Sequence, residues 1–407
     1  MPMTTPLVEV GFDLTDLPTA PFFRLNDATQ GRLDNTEYRL GGTLFYDITD
    51  RVRNLDFGRG RADVFATFPA GEVSIELNNH DRAFDPLYPS SPFAGNIVPQ
   101  REVRVSANGE IQFTGFIDDW DLSYTNDGDS TATIKATEGI ARLNRRALDA
   151  FTPSEETADV RINSVLDKTE VAWPSSLRDI EASTELMGAY PVEQNTSVLE
   201  YLQNIALSEP GSFFMSRDGK LTFRDRRTAP TSAELVTFGS SGIGMDNVRV
   251  LYGSELLFNR IVVSRYTGGT ATATDAASID TYGVSELTVE EAQVASDGQI
   301  AEIALQYANL YSQPEYRIDA FDVYMEKLDE ATQNTLLTLD IGSVVLVEFT
   351  PNGIGDPIQQ YGEIIRLDHI IQPTFHTMTF GLAELRYQPL VLDDAVFGKL
   401  DVGTLSW

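Results

Sequence analysis

The chain has 407 residues, with 30 lysines and arginines against 61 aspartates and glutamates, so its formal net charge is −31. Such a surface repels phosphate backbones, which argues against a nucleic-acid binder, and the absence of cysteine excludes disulfides, thiolate nucleophiles and cysteine-bound metals. The length predicts about two to four domains, and the first residues show neither the basic nor the apolar part of an export signal.

Residues 1–41 are predicted to form an N-terminal arm, because they are rich in proline and loop signals. A run of ten residues within this arm recurs near the other end of the chain, in a C-terminal arm at 389–407. Chance is one explanation, since short matches are common in chains rich in Gly and Asp. The alternative is that each arm docks in an equivalent place on a sheet edge, of its own or a neighbouring subunit. The candidate interface residues in the two runs are Leu25, Leu33, Leu392, Val396, Phe397 and Leu400.

Alternating apolar residues between 42 and 150 predict a first small β-barrel domain. A loop with four prolines, at 86–99, interrupts it and fits neither a helix nor a central strand. Tyr88, Phe93 and Ile97 are expected to pin this loop, which makes it a candidate contact surface. Packing of the loop on its own barrel is the alternative.

The stretch 102–138 is predicted to form an antiparallel meander. Asn108-Gly109 supplies the two positive-φ residues of a tight hairpin turn. Along the following strand, Trp120, Leu122 and Tyr124 alternate with polar residues, as in a sheet with one buried face.

Residues 151–232 are expected to be an α+β insert domain. Ser197 and Glu200 make a capping box at the start of an apolar helical stripe, and a hairpin follows around the Asp218-Gly219 turn.

A second β-barrel is predicted at 233–388, with a helix at 297–312 capped by Ser296 and Gln299, and a flexible small-residue loop at 268–277. Its last part, 343–384, repeats the pattern of 102–138. General alternation in antiparallel sheets could produce such a likeness, but strand order, a glycine and a terminal glutamate all agree. The matched pairs are Gly115 with Gly362, Ile117 with Ile364, Trp120 with Leu367, Asp121 with Asp368, and Glu138 with Glu384.

The sequence offers no recognisable active site. Its only histidines are His80, His369 and His376, and their spacing does not suit a transition-metal site. His369 takes the place of Leu122 in the repeat, so a packed histidine is expected there. Acidic pairs such as Asp118-Asp119 point to opposite faces of a strand, as solvated surface residues do. We therefore expect no catalysis, no metal and no cofactor.

The runs DRAFDPLYPSSPFAGNIVPQREVRV (81–105) and FTGFIDDWDLSY (113–124) closely resemble minor tail proteins of long non-contractile-tailed phages that infect actinobacteria. Residues 32–53 and 392–401 look like the same family, and 195–226 resembles the segment between the barrels of tail hub proteins. The resemblance covers most of the chain and is most specific at 81–124.

This resemblance implies a structural tail hub at the virion tail tip, assembled in the host cytoplasm. A homotrimer would present two related barrels per subunit to a sixfold cylinder. Its expected partners are the distal tail or tail tube protein, the tape-measure protein and other tail-tip or fibre proteins, with DNA only in transit. The alternative is a tip protein that binds host-surface glycan, for which the separated Trp120, Trp173 and Trp407 give little support.

Overall fold

The computed structural model describes residues 3–12, 27, 29, 31, 44–126, 128–225 and 235–385. Within them the protein is mainly β, as predicted, and thirteen of its strands join in one curled sheet. Most of both expected arms lies outside the described residues, including Leu25, Leu33, Leu392, Val396, Phe397 and Leu400.

The first half of the sheet contains seven strands. Their order across the sheet is β3-β4-β7-β6-β5-β1-β2, with all neighbours antiparallel. Their bounds are β1 Pro6–Phe12, β2 Leu44–Asp47, β3 Val52–Gly60, β4 Glu72–Asn78, β5 Glu102–Ala107, β6 Glu110–Tyr124 and β7 Ser130–Glu138. Strand β1 corrects one expectation, because its residues were assigned to an arm. Val8, Val10 and Phe12 alternate into the barrel core, and this burial fixes the strand there.

An insert follows, with two helices and seven short strands. Its elements are β8 Ala147–Leu148, β9 Glu156–Thr157, α1 Ala158–Leu166, β10 Arg178–Ile180, β11 Leu186–Met187, β12 Thr196–Ser197, α2 Val198–Ser208, β13 Ser212–Met215 and β14 Leu221–Arg224. Helix α2 begins where predicted, and the Ser197 side chain accepts a hydrogen bond from the Glu200 amide, which is one of the two hydrogen bonds of the expected capping box.

The second half begins with two strands, and a second insertion follows them. These elements are β15 Val236–Gly239, β16 Asp246–Leu251, β17 Arg260–Arg265, β18 Thr270–Thr274, α3 Ala276–Tyr282, β19 Glu286–Ala292 and α4 Asp297–Tyr311. The expected loop at 268–277 is instead largely strand β18, because its Thr/Ala alternation pairs with β17 and places Ala271 and Ala273 against α4.

The remaining elements complete the second half. They are β20 Arg317–Tyr324, α5 Glu330–Leu337, β21 Val344–Phe349, β22 Ile358–Gln372 and β23 Phe375–Glu384. The strand order β16-β20-β23-β22-β21-β15 matches β3-β4-β7-β6-β5-β1, with one difference: β15 runs parallel to β21. The two halves therefore share a topology.

The register of the two meanders agrees residue by residue with the sequence alignment. Gly115 pairs with Glu138, and Gly362 pairs with Glu384. Both ladders then shift by one residue at the same place, after Ile117 in one copy and after Ile364 in the other. Because a bulge is a specific feature of a ladder, its recurrence supports a duplicated unit more strongly than alternation does.

Three main cores lie under this architecture. One fills the first half, a second fills the second half, and the third joins the insert to the second insertion. Helix α4 has the predicted capping box. However, Ile300, Ile303 and Tyr307 pack in the third core with α1 and α2, whereas the sequence placed this helix within the second barrel.

Candidate assembly site at the sheet edges

The two halves meet along an antiparallel strand pair within the chain. Strand β3 pairs with the second part of β22, from Leu55 opposite Ile371 to Gly60 opposite Arg366. At the centre of this junction the ring of Phe57 stacks on His369, with centroids 4.4 Å apart. The predicted barrels are thus one continuous sheet, in which the β3 edge of the first half pairs with the β22 edge of the second half.

Arg59 is the most connected buried cation at the junction. Its Nε donates to Glu138 Oε1 at 2.6 Å, its Nη1 donates to Asp340 Oδ1 at 2.7 Å, and its Nη2 donates to the Met215 carbonyl. Burial opposes the charge, but Asp340 and Glu138 raise the pKa of Arg59 above its usual value. One guanidinium therefore ties together the first half, the insert and the second half.

A chain of buried histidines lies beside it. His369 Nδ1 is 3.1 Å from His376 Nε2, and His376 Nδ1 is 2.8 Å from Thr4 Oγ1. Burial lowers the pKa of His376 to about 4, and burial with the neighbouring His376 and Arg59 lowers the pKa of His369 well below its usual value. Both rings are packed hydrogen-bonding groups, as expected for His369 from the repeat.

Each half also has an edge that no other strand in the described part of the chain covers. In β6, β5 covers only Glu110–Phe116, and no strand among the described residues pairs with 119–124 on that side. Strand β16 is the outer strand at one end of the sheet, and none of its residues is buried. These two edges are the topological equivalents of β22 and β3, the two strands that already pair at the junction.

The face of the sheet opposite the cores is polar and mainly acidic. Asp56, Glu72, Glu76, Asp119, Asp121, Asp322 and Asp368 alternate with the core residues there, together with Lys135 and Arg366. A groove of about 650 Å³ crosses the junction on this face, beside Gly58. Burial raises the pKa values of Asp56 and Asp368 above the usual range.

Of the three predicted contact residues in the proline-rich loop, two are buried in the core and one is half-buried near the surface. Phe93 and Ile97 are buried in the first core, where Phe93 stacks on Phe12 and Phe84. They hold the loop in place and offer no surface in this chain. Tyr88 is half-buried under Arg82, and Leu87 beside it is 84% exposed. The loop's role as an interface remains a prediction that rests on these outer residues.

The described residues contain no group of three His, Asp or Glu side chains that could hold a metal. In this same part of the chain, no helix has the length and apolar character needed to cross a membrane. Trp173 is buried, and Trp120 stacks on Phe84, so neither ring is free on the surface as part of an aromatic platform.

Solved structures of two tail proteins share this arrangement. The tail protein from Neisseria meningitidis MC58 aligns with a TM-score of 0.61 at 11% identity, covering 94% of this chain and 97% of that one. The chain has a phage tail protein fold. The 43 kDa tail protein of prophage MuSo2 from Shewanella oneidensis aligns with a TM-score of 0.56 at 16% identity, over 84% of this chain and 94% of that one. No protein-family model and no curated protein matches the sequence.

The sequence did not reveal Arg59, Asp340 or the pairing of β3 with β22. The one available signal was the terminal glutamate of each meander, Glu138 and Glu384, which a strand end in solvent would not require. A glutamate that recurs at the buried end of a duplicated unit predicts a cationic partner, and that partner for Glu138 is Arg59.

Proposed function

We propose that this protein is the structural tail hub of a phage with a long non-contractile tail. Three copies form a pseudo-sixfold ring that joins the sixfold tail tube or distal tail protein to the threefold tail tip. The ring lines the channel for DNA and the tape-measure protein, and it performs no chemistry. The tail protein fold supports a place in the tail.

The observation that carries this proposal is the pairing of β22 with β3. Repeating the same contact between copies brings β16 of one copy onto residues 119–124 of β6 in the next. Because each chain supplies two equivalent halves, six halves close a ring of three chains, which suits a sixfold partner.

The register of the contact between copies follows from the junction within the chain. Arg249 in β16 lies opposite Ala320, as Asp56 in β3 lies opposite Ser74. Ser123 in β6 pairs with Thr131, as Ile370 in β22 pairs with Thr377. Since Ile370 pairs with Asp56, Arg249 of one copy is placed opposite Ser123 of the next. Asp121 lies two residues away on the same face and gives the arginine an acidic neighbour.

The acidic sheet face supports the channel. In a closed ring the cores lie on one side of the sheet, so the opposite face lines the lumen. A lumen rich in aspartate and glutamate repels the DNA backbone and lets it pass without binding.

A cysteine pair tests the ring directly, because the natural chain has no cysteine. The double variant Ser123→Cys/Arg249→Cys should form disulfides between copies under mild oxidation and give covalent trimers of the 45.0 kDa chain, since opposed strand residues lie within disulfide reach. Each single variant is the control and should not go beyond dimers. Mass photometry of the unmodified protein, alone and with its tube protein, should show trimers.

A purely monomeric protein, or covalent rings of another size, would overturn the proposal. A disulfide formed inside one chain would also count against it, because six strands separate β6 from β16 along the sheet.

A further inference from the structure

Within the chain, a hairpin of the first half closes the core of the second half. Ala107, beside the tip of the β5–β6 hairpin, is fully buried among the residues of the second core. Asn108 Nδ2 donates to Gln333 Oε1 at 3.2 Å and to Asn334 Oδ1 at 2.9 Å, both on α5. The hairpin tip of one half thus rests on the segment that covers the neighbouring half.

That segment has an equivalent in the first half. Helix α5 lies in the connection from β20 to β21, and the proline-rich loop at 86–99 lies in the matching connection from β4 to β5, the 79–101 loop. Leu336 and Leu337 of α5 fill the second core, as Phe84, Phe93 and Ile97 of the 79–101 loop fill the first. The helix and the loop therefore both cover the core of their own half, although their structures differ.

The hairpin has an equivalent in the second half, and the tip of this one is exposed among the residues that the structure describes. Strands β21 and β22 are joined by residues 350–357, where the first half has only Asn108-Gly109. Asn352, Gly353 and Gly355 have positive φ, so the loop folds back sharply and presents Ile354, which is 77% exposed. All of residues 352–357 are exposed.

We propose that the 350–357 hairpin of one copy docks on the 79–101 loop of the neighbouring copy, with Ile354 packing against Leu87 and Tyr88. This inference rests on the proposed function, because the ring brings the two segments together. Inside the chain, β3 of the first half pairs with β22 of the second half, and the first half's β5–β6 hairpin contacts α5 of the second half. Between copies, β16 of one copy would pair with β6 of the next. The equivalent contact then joins the 350–357 hairpin of the first copy to the 79–101 loop of the next.

The chemistry of the two surfaces suits this contact. Leu87 is 84% exposed between Pro86 and Pro89, and a large apolar side chain on a proline-stiffened loop loses little conformational entropy on docking. Ile354 is a matching apolar side chain on a short loop held by glycines. Burial of such a pair at the centre of a contact contributes more to binding than rim charges do.

A second cysteine pair tests the docking and separates it from the ring. Leu87→Cys/Ile354→Cys should give disulfide-linked trimers under the conditions that link Ser123→Cys/Arg249→Cys. If only the β-edge pair links, the ring stands and the hairpin docking is overturned. If neither pair links, the ring itself fails. A disulfide within one chain at positions 87 and 354 also overturns the docking, as does coverage of the loop by the chain's own terminal segment.

Charge substitutions give a quantitative test. Ile354→Asp and Leu87→Asp should each weaken trimer formation by about tenfold or more in a dilution series followed by mass photometry. The matched control is Leu305→Asp, a site that is 57% exposed on α4, which packs on the insert and belongs to neither segment, and it should leave the trimer unchanged. Equal behaviour of all three variants would contradict the docking, provided that their circular dichroism and melting match the natural protein.

Discussion

The two meanders place a glutamate at the same ladder position and surround it differently. Glu138 is almost completely buried, with a side-chain exposure of 4%, and pairs with Arg59 at 2.6 Å. Glu384 has a side-chain exposure of 29% and lies 3.3 Å from Arg317. Burial and the nearby Glu315 raise the pKa of Glu384 to about 7. Duplication has therefore kept the backbone register while each side chain adapted to its neighbours.

The difference follows from what covers each strand end. Glu138 lies where the first half, the insert and the second half converge, so solvent is excluded and its charge requires a close partner. Glu384 borders a cavity of about 300 Å³ that reaches Arg249 and Leu251 on β16, the open edge of the sheet. The glutamate beside this uncovered edge is therefore more exposed and less tightly paired than Glu138.

The largest expected effect comes from removing the cation of the tighter site. Arg59→Met should lower the free energy of unfolding by about 3–5 kcal/mol, because Glu138 and Asp340 would remain buried without their partner. Arg317→Met, at the more exposed site, should lower the free energy of unfolding by clearly less. Urea denaturation of the two variants measures both values, and equal losses would show that the two glutamates are not held differently.

Acid should act on the histidine chain at the junction. The pKa of His376 lies at about 4 in the folded protein and near 6.5 when unfolded, so the unfolded state binds more protons between these values. Stability is therefore full above pH 6.5 and falls as pH drops through 4, by about 3 kcal/mol for this one group.

His376→Gln should flatten this acid branch of the pH–stability curve. It should also lower the free energy of unfolding somewhat at neutral pH. His80→Gln is the matched control, because His80 is exposed in a turn. An unchanged acid branch in His376→Gln would rule out the junction histidines as its source.

The aligned glycines should respond unequally to a methyl group. A Cβ on Gly115 would lie 2.6 Å from the Thr137 carbonyl oxygen and 2.6 Å from the Phe113 ring, whereas on Gly362 its nearest neighbour is the flexible end of Leu382 at 3.0 Å. Gly115→Ala should therefore cost about 1–3 kcal/mol of unfolding free energy, and Gly362→Ala less than about 1 kcal/mol. Thermal melts of both variants measure these losses, and a larger loss in Gly362→Ala than in Gly115→Ala would contradict this explanation.

The smallest effect concerns Glu384. Its folded pKa is raised to about 7, so between pH 4.5 and pH 7 the folded state holds more protons than the unfolded one. Stability from this group is present below pH 4.5 and is lost as pH rises through 7, by about 1–2 kcal/mol given its partial exposure. Glu384→Gln should remove this decline in urea titrations at pH 5 and pH 8, and persistence of the full decline would assign it to another group.

Local patterns predicted much of the fold and little of its assembly. Alternation, the Asn108-Gly109 turn and the capping residues Ser197 and Ser296 were sufficient for the meanders and for helices α2 and α4, because these depend on neighbours in sequence. The alternation of Thr and Ala in β18 was misread as a loop, since small residues become a strand only when a partner such as β17 is present.

What the sequence determined by itself is the duplication: two meanders with one strand order, a glycine before the third strand and a glutamate at each end. These features are encoded locally, by side-chain alternation and by glycines where the strands come close. Only the tertiary structure decided that β3 joins β22, that Arg59 links three parts of the chain, and that Phe93 and Ile97 face inward while Leu87 faces out. Pairing of strands about 300 residues apart depends on which edges remain uncovered after each half has folded, and no local pattern carries that information.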